Sequence, residues 1–217
     1  MNQRVTALGR RYARLATRAA VAYPRLWHLF RPLLRWNFDA LAPEWDGFRG
    51  PEAPLPILAA LDRLDENPRA ILDVGTGTGF VAGLAGERFP DAEVVGVDLS
   101  PRMIDVARGS HPGVRFEVAD ASKLPFGDGT FDLVLLLNMI PFAEELARVT
   151  RAGGRLVVAF SRGSDTPIWA PAETIRAQLA GVGFEDLEEL AAGVGTALLA
   201  RRRRSTVPAP RRPTRSR

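Results

Sequence analysis

The ten-residue stretch ILDVGTGTGF (residues 71–80) decides the fold. Its first four residues are typical of a buried strand. The glycines that follow allow a tight turn, in which the backbone can approach a ligand that a Cβ would block. The spacing from Asp73 is D-x-G-x-G-x-G, so Phe80 stands where a dinucleotide-binding fingerprint needs its third glycine. The stretch also has no Gly-Lys-Ser/Thr, which excludes a P-loop.

Acidic residues end the next two predicted strands. The stretch VVGVDLS (94–100) places Asp98 19 positions after Gly79, where a carboxylate can accept hydrogen bonds from both hydroxyls of an adenosine ribose. The stretch FEVADA (116–121) offers Asp120 as an acceptor for an adenine amine. Because the carboxyl ends of parallel strands meet at one edge of a sheet, we expect the glycine turn and both acids to surround one crevice.

Strand and helix patterns alternate from about residue 57 to 200, which predicts βαβ units and a mostly parallel sheet. Strands are predicted at Ala70–Val74, Glu93–Val97, Val114–Val118, Leu133–Asn138, Arg155–Phe160 and Thr196–Ala200, with a weaker one at Asp186–Leu190. Helices are predicted at Gly79–Arg88, Pro101–Gly109, Ala143–Thr150 and Ala172–Ala180. Ser100 directly precedes Pro101 and is predicted to cap the second of these helices.

The glycine turn, Asp98 and Asp120 resemble motifs I, II and III of the class I S-adenosylmethionine (SAM) methyltransferases. The runs LPFGDGTFD (124–132) and EELARVTRAGG (144–154) resemble that family's approach to strand four and its Gly-Gly turn before strand five. The resemblance covers about residues 57–200. It implies an α/β fold with a Rossmann-like, seven-stranded, mostly parallel sheet, helices on both faces and an antiparallel last strand.

The resemblance also implies that SAM is the cofactor and that residues at the strand tips bind it. These residues are Asp73, Gly75, Thr76, Gly77, Gly79, Asp98, Leu99, Met103, Asp120, Ala121 and Asn138. Three of them have alternative roles. Asp73 either orients the turn or holds the methionine ammonium through water; Met103 either faces adenine or packs in its helix. Asn138 either lies beside the transferred methyl or caps its strand.

The charge distribution suits a cationic ligand in this crevice. Residues 51–200 carry twelve basic and twenty-two acidic residues, a net charge of −10, and no Lys or Arg occurs between Ile71 and Gly86. An acidic surface attracts a sulfonium cation. A site without basic residues disfavours NAD, FAD and nucleoside triphosphates, because their phosphates need positive partners.

Residues 1–56 are predicted to form a helical leader that precedes the core domain of residues 57–200. Residues 3–22 have the pattern of a basic amphipathic helix, and PEAPLP (51–56) forms a Pro-rich joint. The segment FDALAPEWD (38–46) resembles one that forms a lid over cofactor and acceptor in many methyltransferases. The alternative is that this segment only packs against the edge of the core.

No general base is evident from the sequence. The proton released on methylation would go to water, to Asp39 or Asp46 in the leader, or to His28 if the leader folds over the site. The candidates for catalytic residues are His28 and Asp46, as proton acceptors, and Asn138, if it lies beside the transferred methyl. No metal site is expected, since the chain has no Cys and its two histidines, His28 and His111, lie 83 positions apart.

The remaining features concern location and partners. No apolar run approaches the ~20 residues that span a bilayer, and no secretory signal is present, so a cytoplasmic protein is expected. Residues 201–217 hold eight Arg and no acid and are predicted to be a disordered tail. This tail could hold RNA, and the helix of residues 3–22 could lie on anionic lipid, although a solvated surface is the commoner outcome for both.

Together these features predict methyl transfer from SAM to a small-molecule acceptor, by O- or C-methylation as in the small-molecule and quinone-type branch of the family. One alternative is an RNA or protein methyltransferase that uses its basic ends as an anchor. Another is a non-catalytic SAM-binding protein. Either a monomer or a homodimer is compatible with the sequence.

Overall fold

The computed structural model describes residues 3–204. Its helices are α1 (Gln3–Ala22), α2 (Trp27–Leu41), α3 (Leu55–Leu61), α4 (Phe80–Arg88), α5 (Pro101–Ser110), α6 (Ala143–Val149) and α7 (Ala172–Gly181). Its strands are β1 (Ala70–Val74), β2 (Glu93–Asp98), β3 (Arg115–Val118), β4 (Phe131–Leu137), β5 (Thr150–Phe160), β6 (Phe184–Ala192) and β7 (Gly195–Arg202). Short 3-10 helices cover Pro24–Leu26, Ala42–Phe48 and Gly163–Asp165.

The seven strands form one sheet in the order β3-β2-β1-β4-β5-β7-β6. Strands β1 to β5 pair in parallel, and β7 lies antiparallel between β5 and β6. The predicted α/β fold with an antiparallel last strand is thus confirmed. The order reverses beside β1, so the crevice lies at the switch point of the sheet, where such folds bind ligands.

Helices cover both faces of the sheet, as predicted. Helices α3, α4 and α5 pack on one face and bury Ile57, Val81 and Ile104. Helices α1, α2, α6 and α7 pack on the other face, where Trp27 and Leu146 lie in the second core cluster. The two leader helices are therefore part of the folded core, because each buries an apolar side against it.

Several element ends differ from the sequence prediction. Helix α4 starts at Phe80 because its N-cap, Gly79, has a left-handed backbone with φ of 87°. Strand β5 starts at Thr150, so the Gly-Gly turn lies within that strand. Strand β4 ends before Asn138, whose φ of 57° is also left-handed.

Both ends of the predicted core domain fall inside regular structure. The Pro-rich joint is a turn over residues 51–54 that leads into α3, and its last two residues, Leu55 and Pro56, begin that helix, since proline is tolerated in a first helical turn. Strand β7 continues through Arg202, two residues into the predicted tail. Residues 205–217, the rest of that tail, lie outside the described residues. Within residues 3–204, no helix combines the length and the apolarity that a bilayer span requires.

Candidate cofactor site

Asp73 ties the glycine turn to the start of α4. Its side chain is 1% exposed, and its Oδ2 accepts hydrogen bonds from Thr76 Oγ1 at 2.6 Å and from the Ala82 amide at 3.0 Å. Burial raises the pKa of Asp73 to about 7, against the lowering effect of these two bonds. With these contacts, Asp73 orients the turn, which is one of the two roles considered for it.

Gly75 and Gly77 give the turn its shape, with φ of 73° and 55°. Beyond Gly77, the turn meets Asp98 at the end of β2. Asp98 Oδ2 accepts from the Gly77 amide and Oδ1 from the Ser100 amide, both at 2.9 Å. Burial raises the pKa of Asp98, although these backbone bonds act to lower it. The sequence-based expectation that glycine turn and acid lie side by side is met.

Ser100 and Met103 begin helix α5 next to Asp98. Ser100 Oγ accepts from the Met103 amide at 3.1 Å, so the predicted helix cap is confirmed. The Met103 side chain is 1% exposed, which agrees with ordinary helix packing. Leu99 is half-buried beside the crevice, whereas Ala121, after β3, is buried at 6% exposure.

Asp120 follows β3 and is held by the leader. Its Oδ1 accepts from Trp27 Nε1 at 2.8 Å, and its Oδ2 from Arg31 Nη1 at 2.6 Å. Burial acts to raise the pKa of Asp120, but hydrogen bonds from Ser122, Arg31 and Trp27 outweigh it and hold that pKa below its ordinary value. Sequence reasoning missed Trp27 and Arg31; the one available signal was the number of tryptophans in the leader.

The segment 38–46 of the leader contacts the glycine turn directly. The Trp45 indole nitrogen lies 3.3 Å from the position that a Cβ on Gly77 would take. Asp46 Oδ1 accepts from Thr78 Oγ1 at 2.5 Å, and Asp39 Oδ1 accepts from Ser100 Oγ at the same distance. Asp39 and Asp46, considered as bases, are thus hydrogen-bonded to residues that border the crevice.

Asn138 joins the ends of β4 and β5. Its Nδ2 donates to Ser161 Oγ and its Oδ1 accepts from the Ser161 amide, both at 2.9 Å. Both polar groups of this amide are engaged, which agrees with a strand-capping role. The next residue, Met139, places its Sδ 2.8 Å from the position that a Cβ on Gly75 would take. Sequence reasoning missed Met139 and Ser161.

His28 lies apart from this network of hydrogen bonds. Its side chain is exposed on α2, and its Nδ1 lies 2.6 Å from the carbonyl oxygen of Arg25. Among the described residues, no cluster of three His, Asp or Glu side chains is arranged to hold a metal ion.

The donors and acceptors of this crevice fit a ligand that carries an adenosyl group on a positively charged sulfonium centre. A Cβ on Gly75 would meet Met139, and a Cβ on Gly77 would meet Trp45. Gly75 and Gly77 also both have positive φ values, which favour glycine. Two carboxylates, Asp98 and Asp120, end neighbouring strands and supply acceptors for hydroxyl and amine groups. The negative charge of an ionised carboxylate favours a positively charged ligand.

Comparisons with known proteins agree with this fit. Residues 71–154 match the family described as a methyltransferase domain. The chain is 46% identical over 106 residues to a demethylmenaquinone methyltransferase of Thermus thermophilus, covering 44% of this chain and 48% of the relative. It is 34% identical over 145 residues to a malonyl-[acyl-carrier protein] O-methyltransferase of Methylococcus capsulatus, covering 60% and 52%. The chain thus spans about half the length of these relatives.

Solved structures share the fold. A methyltransferase in complex with the Trm112 activator of Haloferax volcanii superposes with a TM-score of 0.66 at 20% identity, over 76% of this chain and 97% of that one. The glycine turn and Asp98 lie within the matched residues 71–154, and the strand order is the one that the resemblance implied. Residues 71–154 are therefore similar to a methyltransferase domain, and the described chain shares its fold with solved methyltransferases.

Proposed function

We propose that the protein transfers a methyl group from SAM to an oxygen or carbon atom of a small molecule. The observation that carries this proposal is the hydrogen bond between the Gly77 amide and Asp98, which puts the turn and the carboxylate in contact. When bound, SAM supplies an electrophilic methyl group on a sulfonium centre. The protein contributes mainly by aligning donor and acceptor.

Each residue of the site has a defined task in this proposal. Asp98 accepts hydrogen bonds from the ribose hydroxyls, and Asp120 with Ala121 receives the adenine. Gly75 and Gly77 let the backbone approach the amino-acid end of the cofactor, and Asp73 keeps the turn in place through Thr76 and Ala82. Of the remaining predicted residues, Thr76, Gly79, Leu99 and Asn138 shape the crevice around these contacts, and the buried Met103 packs beneath it in α5.

The leader acts as a lid in this proposal. Trp45 covers Gly77 and Met139 covers Gly75, so both side chains have to shift when the cofactor enters. Closure of such a segment excludes water from the reacting methyl group. We assign no general base: Asp39 and Asp46 already accept hydrogen bonds, and His28 is exposed, so water receives the proton.

A cavity of about 150 Å³ at the carboxyl end of β5 supports a small, apolar acceptor. Its walls come from β5, β6, β7, α7 and the segment before α7; they include Phe160, Trp169 and Ile175, with Glu189 as the charged member. A dry cavity of about this volume holds one benzene-sized ring in an engineered protein. We infer that an aromatic ring of the acceptor enters here, which agrees with a quinone-type substrate.

Cofactor binding is tested by isothermal titration calorimetry with SAM and Asp98→Ala. The substitution removes the ribose acceptor and should weaken SAM binding about 30- to 1,000-fold, since 2–4 kcal/mol is typical for such charge-assisted bonds. The matched control is Asp105→Ala, because Asp105 is an exposed aspartate in α5, seven positions after Asp98. Unchanged affinity in a folded Asp98→Ala protein would refute the assignment.

Methyl transfer is then measured with radiolabelled SAM and a panel of phenols, hydroquinones and carboxylic acids. Transfer to a ring-containing acceptor by the wild type is the expected result. Transfer only to RNA or protein, with strong salt dependence, would favour the basic ends as an anchor. Tight SAM binding with no transfer to any of these acceptors would favour a non-catalytic SAM-binding protein. Cytoplasmic location and the monomeric or homodimeric state stay predictions.

A further inference from the structure

Helix α2 has a second apolar face that no described residue covers. Its members, with the 3-10 residue just before the helix, form what we term the α2 stripe: Leu26, Leu29, Leu33 and Trp36, exposed by 37%, 61%, 48% and 67%. Their spacing of three and four residues puts them on one side of the helix. Trp27 and Leu34, at 5% and 2% exposure, form its buried side. A helix that is apolar on two sides normally buries both.

Exposed apolar residues are concentrated in this part of the molecule. Of the ten large apolar side chains that are exposed among the described residues, seven lie between residues 15 and 48. Soluble proteins seldom expose a contiguous apolar patch of more than about a few hundred Å² unless it binds something. The α2 stripe is therefore a candidate docking surface.

The charge around the stripe identifies the kind of partner. Residues 1–38 contain eight arginines and no acidic residue, whereas residues 51–200 carry a net charge of −10. Arg25 directly precedes Leu26 and Arg35 directly precedes Trp36, and both arginines are exposed. Apolar side chains beside guanidinium groups, in a helix at the surface, are the combination that binds the interface of an anionic bilayer.

We propose that the α2 stripe docks on the surface of a membrane that contains anionic lipid. Leu29, Leu33 and Trp36 enter the boundary between headgroups and acyl chains, and the neighbouring arginines contact lipid phosphates. A second copy of the chain is a poorer partner, because pairing two such faces would bring arginines together. Nucleic acid is also poorer, since its interfaces are polar and leucine side chains offer it no hydrogen bonds.

The buried side of the same helix explains why docking matters to the site. Trp27 and Arg31 on α2 hold Asp120, so the docked helix is also the one that borders the crevice. A lipophilic acceptor dissolved in the bilayer would then reach the crevice from the leader. This consequence rests on the proposed function, but docking itself does not, because vesicle binding is measured without SAM or acceptor.

The experiment is cosedimentation of the full chain with vesicles. Vesicles of equal parts phosphatidylglycerol and phosphatidylcholine should bind the wild type, with weakening by salt, and pure phosphatidylcholine vesicles should bind it much less. The double variant Leu29→Ser, Leu33→Ser should bind the anionic vesicles about tenfold or more weakly. Because both leucines are exposed, its melting temperature should equal that of the wild type. Val194→Ser, at an exposed turn between β6 and β7, is the matched control and should bind normally.

A second readout locates the contact on α2. Brominated lipid should quench tryptophan fluorescence of the wild type, and Trp36→Phe should lose most of that quenching. Equal vesicle binding by the wild type and the double leucine variant would overturn the proposal. So would a dimer, or a complex with RNA, that forms in the wild type without vesicle binding and is lost in the double variant. In that case the stripe belongs to a second copy or to nucleic acid.

Discussion

The strand tips and the leader meet at one crevice but are built in opposite ways. At the strand tips, Asp73 and Asp98 are enclosed by backbone amides of the same domain, and the surrounding segment is acidic. In the leader, α2 buries one side against this crevice and exposes leucines on the other, in a segment rich in arginine. The strand tips are thus stabilised from within, whereas the leader depends on a few contacts such as Trp27 with Asp120.

Because of this difference, we expect the strand tips to determine the stability of the domain and the leader to determine how the crevice is covered. Substitutions at the strand tips should change the free energy of unfolding of the whole domain, because their groups have little exposed surface and cannot relax into water. Substitutions in the leader should change how the crevice is covered at a smaller cost in stability. Three variants test that division, in decreasing order of expected effect.

Gly96→Val should have the largest effect. A Cβ on Gly96 in β2 would lie 2.6 Å from the Phe116 ring and 2.7 Å from Thr76 Oγ1, so valine has to displace both. Overpacking of this kind costs about 3 kcal/mol. Gly109→Val is the control, since a Cβ there meets nothing within 4 Å, and valine and glycine have similar helix propensities. Equal urea midpoints for the two variants would show that the space around Gly96 is not fixed.

Asp73→Asn should change how stability depends on pH. The pKa of Asp73 is raised to about 7 by burial, so the folded protein binds a proton that the unfolded chain releases near pH 4. Stability from this residue is therefore complete below about pH 4 and is lost as pH rises through 7. Between pH 5 and 8 the wild type should lose on the order of 2 kcal/mol more than Asp73→Asn.

Urea unfolding at both pH values measures this difference, with Asp105→Asn as the exposed control. Burial raises the pKa of Asp98 too, so Asp98 changes the stability with pH in the same direction as Asp73. Part of the pH dependence should therefore remain in Asp73→Asn. Parallel pH profiles for the wild type and Asp73→Asn would mean that Asp73 titrates in its ordinary acidic range.

Trp27→Phe should have the smallest effect of the three. Phenylalanine keeps the edge contact with Phe142, whose ring centre lies 5.3 Å from that of Trp27, but it removes the hydrogen bond to Asp120. The expected loss in the free energy of unfolding is about 1 kcal/mol. Trp36→Phe, at an exposed position of the same helix, should stay within about 0.5 kcal/mol of the wild type. Identical losses in both variants would mean that the leader does not depend on Asp120.

The parts of the site that could be predicted are those fixed by local pattern. A strand followed by glycines at alternate positions specifies the turn, and the length of one βαβ unit then places Asp98 beside it. Strand alternation likewise predicted every strand of the sheet, including the weak β6. The ends of the strands were predicted less accurately. Arg202 was assigned to the disordered tail, but it is the last residue of β7 and donates hydrogen bonds to the carbonyl groups of Val182 and Gly183.

The contacts that could not be predicted join distant parts of the chain. Trp27 and Asp120 are 93 positions apart, and Met139, which follows β4, reaches Gly75 at the end of the neighbouring strand β1. Such pairs depend on how helices dock, which no periodicity or spacing encodes. Three of the four tryptophans lie in residues 1–56, which favours packing of the leader against the core but does not identify the acceptor of the Trp27 hydrogen bond.

The direction of β7 decides where the chain can be attached to a surface. Because β7 is antiparallel to β5, its Arg201 pairs with Arg155 in the middle of β5, while Thr196 pairs with Phe160 at the end of β5, next to Ser161. Six residues of strand, about 20 Å, therefore separate Arg201 from the crevice. A sensor chip coupled beyond residue 204 would hold the molecule by the edge opposite to both the crevice and Trp45. Immobilisation there leaves cofactor, acceptor and vesicles free to reach their sites, whereas a linker at the start of α1 would be attached to the leader itself.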